Sequence, residues 1–143
     1  MRLAATGRVE GGPVEPDPST LAVDPSRPTH LVVGGASIAI SHDGGRTFRG
    51  GHTPPGRMRV SALTFVGNRG ICAAAPAYDD QGLLVGGRGV LCSGNGGRAW
   101  HDVSGDLPFR SISSLAVSPD GRWLYAGSLG QGVYRTGVRS VLP

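Results

Sequence analysis

Hydrolytic or acid–base chemistry in this chain would have to come from few side chains. The 143 residues include ten carboxylates, four histidines, three tyrosines and two cysteines. The only glutamates, Glu10 and Glu15, fall in an N-terminal stretch that reads as a linker. Among the aspartates, Asp24, Asp43, Asp106 and Asp120 sit at turn-forming positions, where a short carboxylate accepts hydrogen bonds from nearby backbone N–H groups. Asp43 beside two glycines offers too few oxygens for calcium, so no metal site is expected. His30, His42, His52 and His101 are scattered over turns and strand edges, and no serine or cysteine has a legible triad partner. Cys72 and Cys92 form no Cys-x-x-Cys unit, which leaves zinc and thioredoxin-like readings without support. No cofactor is implied. One group stands out as a contact site: Tyr78, Asp79 and Asp80, inside a long loop at 76–88. Long loops on repeat arrays cluster on one face and often bind there. The competing reading of that loop is an irregular hairpin in which Leu83-Leu84-Val85 extends a sheet.

The elements that would position these residues are repeats. Ser41-His42-Asp43-Gly44-Gly45-Arg46-Thr47-Phe48 recurs as Ser93-Gly94-Asn95-Gly96-Gly97-Arg98-Ala99-Trp100, and 20 residues separate both Asp43 from Leu63 and Asn95 from Leu115. Leu21 with Val23, Leu63 with Phe65 and Leu115 with Val117 alternate as on one face of a strand. Turn residues then lead to second strands at Leu31–Gly34, Ile71–Ala74 and Leu124–Gly127, and to third strands at Ile38–Ile40, Val90–Cys92 and Val133–Arg135. Within the recurring turn, Ser41, Asp43, Gly45 and Phe48 correspond to Ser93, Asn95, Gly97 and Trp100. The acid or amide accepts backbone bonds, the glycines supply positive φ, and the aromatic begins a fourth strand. A period of roughly 40 to 50 residues with four strands per repeat predicts an all-β partial propeller of about three antiparallel blades. The divisions are 1–19, a linker or residual strand; 20–59, blade one; 60–110, blade two with the 76–88 insertion; and 111–143, an incomplete blade three ending in a fourth strand.

SHDGGRTF resembles an Asp-box, the BNR (bacterial neuraminidase) repeat, with Phe48 for the usual Trp; SGNGGRAW keeps Trp100 but has Asn95 for Asp. The third copy, Thr136-Gly137-Val138, lacks the acid. Residues 20–136 are similar to the WD40/YVTN/BNR-like repeat superfamily, which includes sialidases, the sortilin ectodomain, xyloglucan-degrading glycosidases and photosystem II assembly factors. The resemblance implies fold far more than function, because the same blades serve unrelated chemistries. A sialidase would need a carboxylate pair or a tyrosine nucleophile with an acid, and arginines gripping a substrate carboxylate. The Phe/Tyr-Arg-Ile-Pro signature is absent, although Phe109-Arg110-Ser111-Ile112 superficially matches it. The expected function is therefore a non-catalytic scaffold for a protein or carbohydrate ligand. The alternatives are part of a sialidase-like or other BNR-repeat glycoside hydrolase and, third, a photosystem II assembly factor-like protein.

Length and charge bound these readings. Propellers close with about 4 to 8 blades, so three blades leave two sheet faces open. The expectation is a piece of a larger propeller, with self-association or docking onto other blades as alternatives. All 14 basic residues are arginine, and with abundant glycine, alanine and proline this suggests a GC-rich bacterial coding sequence. The net charge of +4 and the acid-free set Arg46, Arg49, Arg57 and Arg59 are a weak basic footprint without interleaved aromatics, which disfavours nucleic acid. No sustained 3.6-residue periodicity and no membrane-spanning run are present, and MRLAATGRVEGG lacks the apolar core of a signal peptide. Family resemblance places such proteins outside the cytoplasm. Cys72 and Cys92 fall on neighbouring strands of one blade; buried free thiols are the favoured state, and a disulfide is the alternative on export.

Overall fold

The structure, a computed structural model, describes residues 8–10, 18–50 and 53–142. Most of the expected linker and His52 lie outside the described residues. The first blade contains β1 (Arg8–Glu10), β2 (Thr20–Asp24), β3 (Arg27–Gly34), β4 (Ile38–Ser41) and β5 (Thr47–Gly50), in the sheet order β1-β5-β4-β3-β2. Strands β2 to β5 pair antiparallel, whereas β1 adds in parallel to the outer edge of β5. In the second blade, β6 (Ala62–Val66) and β7 (Gly70–Ala75) are followed by an inserted hairpin, β8 (Tyr78–Asp80) and β9 (Leu83–Val85). The blade resumes with β10 (Gly89–Ser93) and β11 (His101–Asp102), giving the order β11-β10-β7-β6. The third blade is β12 (Ile112–Val117), β13 (Trp123–Ser128) and β14 (Val133–Gly137), followed by a helical turn, α1 (Val138–Val141). The first strands β2, β6 and β12 stand side by side. This is a partial propeller-like all-β fold.

Period-two alternation decides what each face meets. Ala22, Val32 and Ile40 are cross-strand partners on one face of the first blade, packed against Leu63, Ile71, Ala73 and Leu91 of the second. The opposite face of the second blade presents Cys72, Ala74, Val90 and Cys92 to Ile112, Leu124 and Ala126 of the third. Leu21 is 62% exposed although its repeat equivalent Leu63 is 8% exposed. The difference lies in the neighbour: Leu63 faces the first blade, whereas Leu21 faces solvent. At the other end of the array Val133 is also exposed, and the Arg135 guanidinium lies 4.2 Å from the Trp123 ring centroid. One repeat feature escapes the sequence. In the first two blades an N–H at the start of the third strand is capped by a hydroxyl, Ile38 by Thr53 Oγ1 at 2.8 Å and Val90 by Ser104 Oγ at 3.0 Å. The offsets differ by one residue, so no fixed spacing marks the pair.

Three expectations are corrected. Cys72 and Cys92 are not free thiols: β7 and β10 put them directly opposite each other, Cα–Cα 4.1 Å, and they form a disulfide. Their strands are legible in the sequence, but the shared rung is set by where pairing resumes after the insertion, at Ala75 opposite Gly89. The 76–88 loop forms the irregular hairpin of the competing reading, but Leu83-Leu84-Val85 does not extend the blade. It pairs with Tyr78–Asp80 as a separate two-stranded sheet, turning through Gln81 and Gly82, both at positive φ. In place of a fourth strand in the third blade, the described residues form α1, whose Val138 and Val141 bury in the apolar cluster shared by the second and third blades.

Gly45 and Gly97 hold the same turn position at φ 90° and 91°. A Cβ at Gly97 would come within 2.5 Å of Ile40 Cδ1 in the preceding blade, whereas at Gly45 the nearest approach is Phe48 Cζ at 3.9 Å. Gly45→Ala therefore meets backbone strain alone, about 1 kcal/mol, and Gly97→Ala adds a blade-to-blade collision for about 2 kcal/mol in all. Urea unfolding of both variants checks this, and equal losses would remove the collision argument.

Candidate functional site

The two repeated turns share one hydrogen-bond pattern. Ser41 Oγ donates to Asp43 Oδ1 and accepts from the Gly45 N–H, both at 2.9 Å, while the Thr47 N–H donates to Asp43 Oδ1 at 2.9 Å. Ser93 Oγ, Asn95 Oδ1, the Gly97 N–H and the Ala99 N–H repeat those contacts at the same distances. Phe48 lies within β5, whereas Trp100 immediately precedes β11 and donates its indole N–H to the Gly97 carbonyl. The acid and the amide serve as acceptors in the same pattern. Only Asp43 titrates. Hydrogen bonds from Thr47 hold its pKa down to about 2, with smaller help from Ser41 and the Arg46 N–H and against an opposing effect of burial. Because the folded value is depressed, its contribution is present above pH 4 and is lost as pH falls toward 2. Asp43→Asn, which copies the second turn, is expected to cost stability near pH 7 and to cost progressively less in urea unfolding as pH falls from 4 to 2. A difference that stays constant over that window would contradict the assignment.

A buried polar group lies at the same end of the blades. Asp24 accepts from the Ser26 N–H at 2.9 Å, Ser26 Oγ at 2.8 Å and Arg27 Nε at 3.0 Å, and faces His30 Nδ1 at 3.4 Å. Burial opposes its ionisation, but the bonds from Ser26, His30 and Arg27 outweigh that and hold its pKa well below the carboxylate range. Arg27 reaches across to the Asn68 carbonyl at 3.0 Å, joining the first two blades. The His30 ring stacks on His42 at 4.5 Å, and its buried Nε2 has no partner among the described residues. Burial, with the nearby His30, Arg27 and Arg49, lowers the His42 pKa, partly offset by Asp43. Sequence parity places His30 on the face of Val32, the one signal that could have exposed this cluster.

At the opposite end, the inserted hairpin brings together the predicted contact residues, each already engaged. Tyr78 lies under the Arg59 guanidinium at 5.5 Å, Asp79 Oδ1 accepts the Gly82 N–H at 2.7 Å, and Asp80 pairs with Arg57 at 3.2 Å. The Ala77 N–H donates to Ser111 Oγ at 3.1 Å, bracing the hairpin against the connection into the third blade. Leu83 and Leu84 remain 55% and 76% exposed. The presumed arginine stripe is divided: Arg46 sits in the turn before β5, and Arg57 and Arg59 follow that strand at its far end. Among the described residues, no group of three or more histidine, cysteine, aspartate or glutamate side chains is arranged to hold a metal ion. No helix there is long and apolar enough to cross a membrane.

Three stacked blades, of five, four and three strands among the described residues, with a loop insertion at one end define a partial propeller-like fold. No protein-family model matches the chain, and no curated protein matches it. Among solved structures it matches an ancestral GH74 enzyme, a β-propeller glycoside hydrolase, with a TM-score of 0.68 and 25% identity. The match covers 96% of this chain and 18% of that enzyme, so the chain spans a small part of its structural neighbour's length.

Proposed function

We propose that the chain is a non-catalytic propeller segment, built on Asp-box-type turns, that serves as a binding scaffold for a protein or glycan ligand. The observation that carries this is the inserted hairpin. It forms its own sheet, braced by neighbouring connections, and presents Leu83 and Leu84 to solvent while Asp79 and Asp80 are occupied by its turn and by Arg57. Rigid exposed apolar groups on a loop suit recognition, whereas bond breaking in a sugar needs free, opposed carboxyl groups. The second reading, a portion of a glycoside hydrolase, is favoured by the likeness to the GH74 enzyme.

Affinity electrophoresis through gels containing soluble polysaccharides, run with a reducing-end assay, separates the two. Retardation without release of reducing ends supports the scaffold, and release of reducing ends supports the hydrolase portion. Neither result in any polysaccharide removes the glycan ligand and leaves a protein partner. The exposed Leu21 and Val23 face adds a proposal about partners: it takes another blade, supplied by a longer chain or a second copy. Light scattering should then show association of the purified chain; a stable monomer at high concentration would count against this.

A further inference from the structure

A cavity of about 230 Å³ opens between the second and third blades. Val90, Leu124 and Tyr134 give it apolar walls, and Asp106, Thr136 and Ser140 place polar groups around it. Asp24, Asp43, Asp79, Asp80, Asp102 and Asp120 all use their carboxylates in turns or ion pairs. Asp106 is the exception: its carboxylate has no hydrogen-bond or ion-pair partner among the described residues, and neither do the side-chain hydroxyls of Thr136 and Ser140. Asp106 and Ser140 are exposed and Thr136 is half-buried, so three polar side chains with uncommitted atoms stand at the rim of one small hollow, beside Arg135.

We propose that this cavity holds one neutral pyranose residue of a glycan; the proposal rests on the glycan arm of the scaffold reading. A pyranose has an apolar C–H face to lie on such walls and hydroxyls around its edge. A carboxylate that only accepts needs O–H donors, and two side-chain hydroxyls can both donate and accept. The cavity falls below the roughly 300–1,000 Å³ of pockets that enclose drug-sized ligands, which suits a single ring with the rest of the glycan outside. One carboxylate and two hydroxyls are too few ligands for calcium.

The test is a two-dimensional NMR titration of the intact chain with methyl glucoside, methyl mannoside and methyl galactoside. Millimolar binding of at least one of these sugars is expected, with shifts confined to residues 103–107 and 134–141. Asp106→Asn, an exposed and isosteric change, should weaken that binding by about tenfold or more, as for loss of a hydrogen bond to a charged group. Shifts elsewhere in the wild-type chain, or unchanged affinity in Asp106→Asn, would overturn the cavity assignment while leaving a glycan-binding scaffold in place. No shift with any sugar, while polysaccharide gels still retard the chain, also overturns the cavity alone. Failure in both assays removes the glycan reading with it.

Discussion

Breaking the Cys72–Cys92 disulfide is expected to lower the free energy of unfolding by about 3 kcal/mol, the chain-entropy value for a closed loop of this size. The bridged residues are 20 apart in sequence, and both are buried between the second and third blades. Reductant should therefore act on the native protein only as fast as that interface opens. Urea unfolding of oxidised and fully reduced protein gives the difference directly. Cys72→Ala/Cys92→Ala should lose at least as much, since it also removes two sulfur atoms from a packed face. Two reactive thiols in the unreduced, denatured chain would show that the bridge does not form.

The second large effect is expected at Asp24. Asp24→Ala removes one carboxylate from two Ser26 bonds, the Arg27 ion pair and the His30 contact, and it leaves His30 buried with both ring nitrogens short of partners. Losing one member of a buried charged group costs about 3–5 kcal/mol. Because Arg27 is half exposed and can rehydrate, the lower end, about 3 kcal/mol, is expected. Asp24→Asn keeps an acceptor for Ser26 and should cost less. Acid should erase the difference between wild type and Asp24→Asn: the depressed folded pKa makes the charge stabilising above pH 4, and that stabilisation disappears at lower pH. A loss below 1 kcal/mol for Asp24→Ala would mean that the turn holds without its carboxylate and that the link from Arg27 to Asn68 is incidental.

The strand plan was legible because three weak signals repeat together: alternating apolar pairs, turn residues behind them, and a fixed 20-residue step from Asp43 to Leu63 and from Asn95 to Leu115. What escaped the sequence depends on register or on distant neighbours. Whether Cys72 meets Cys92 depends on the residue at which pairing resumes, and a one-residue slip would turn the two to opposite faces. The helical turn at Val138–Val141 buries into an apolar cluster of the second and third blades that no local pattern announces. Tyr78, Asp79 and Asp80 were found as a loop feature, yet their engagement depends on Arg57 and Arg59 arriving from the preceding connection. Asp106 read as one more turn residue. Its distinction, that its carboxylate has no partner among the described residues, shows only beside the other described aspartates in three dimensions.

The disulfide and the inserted hairpin together make a covalent ring. Cys72 and Cys92 bracket the whole of β8 and β9, so a protease cutting at the exposed tip near Gln81 and Gly82 would leave both fragments tethered until reductant is added. Under mechanical tension the ring hides its own contour: about 70 Å of chain, at roughly 3.3–3.6 Å per residue, cannot be drawn out between the ends. The tip can thus be nicked, lengthened or replaced while the blade beneath it stays joined.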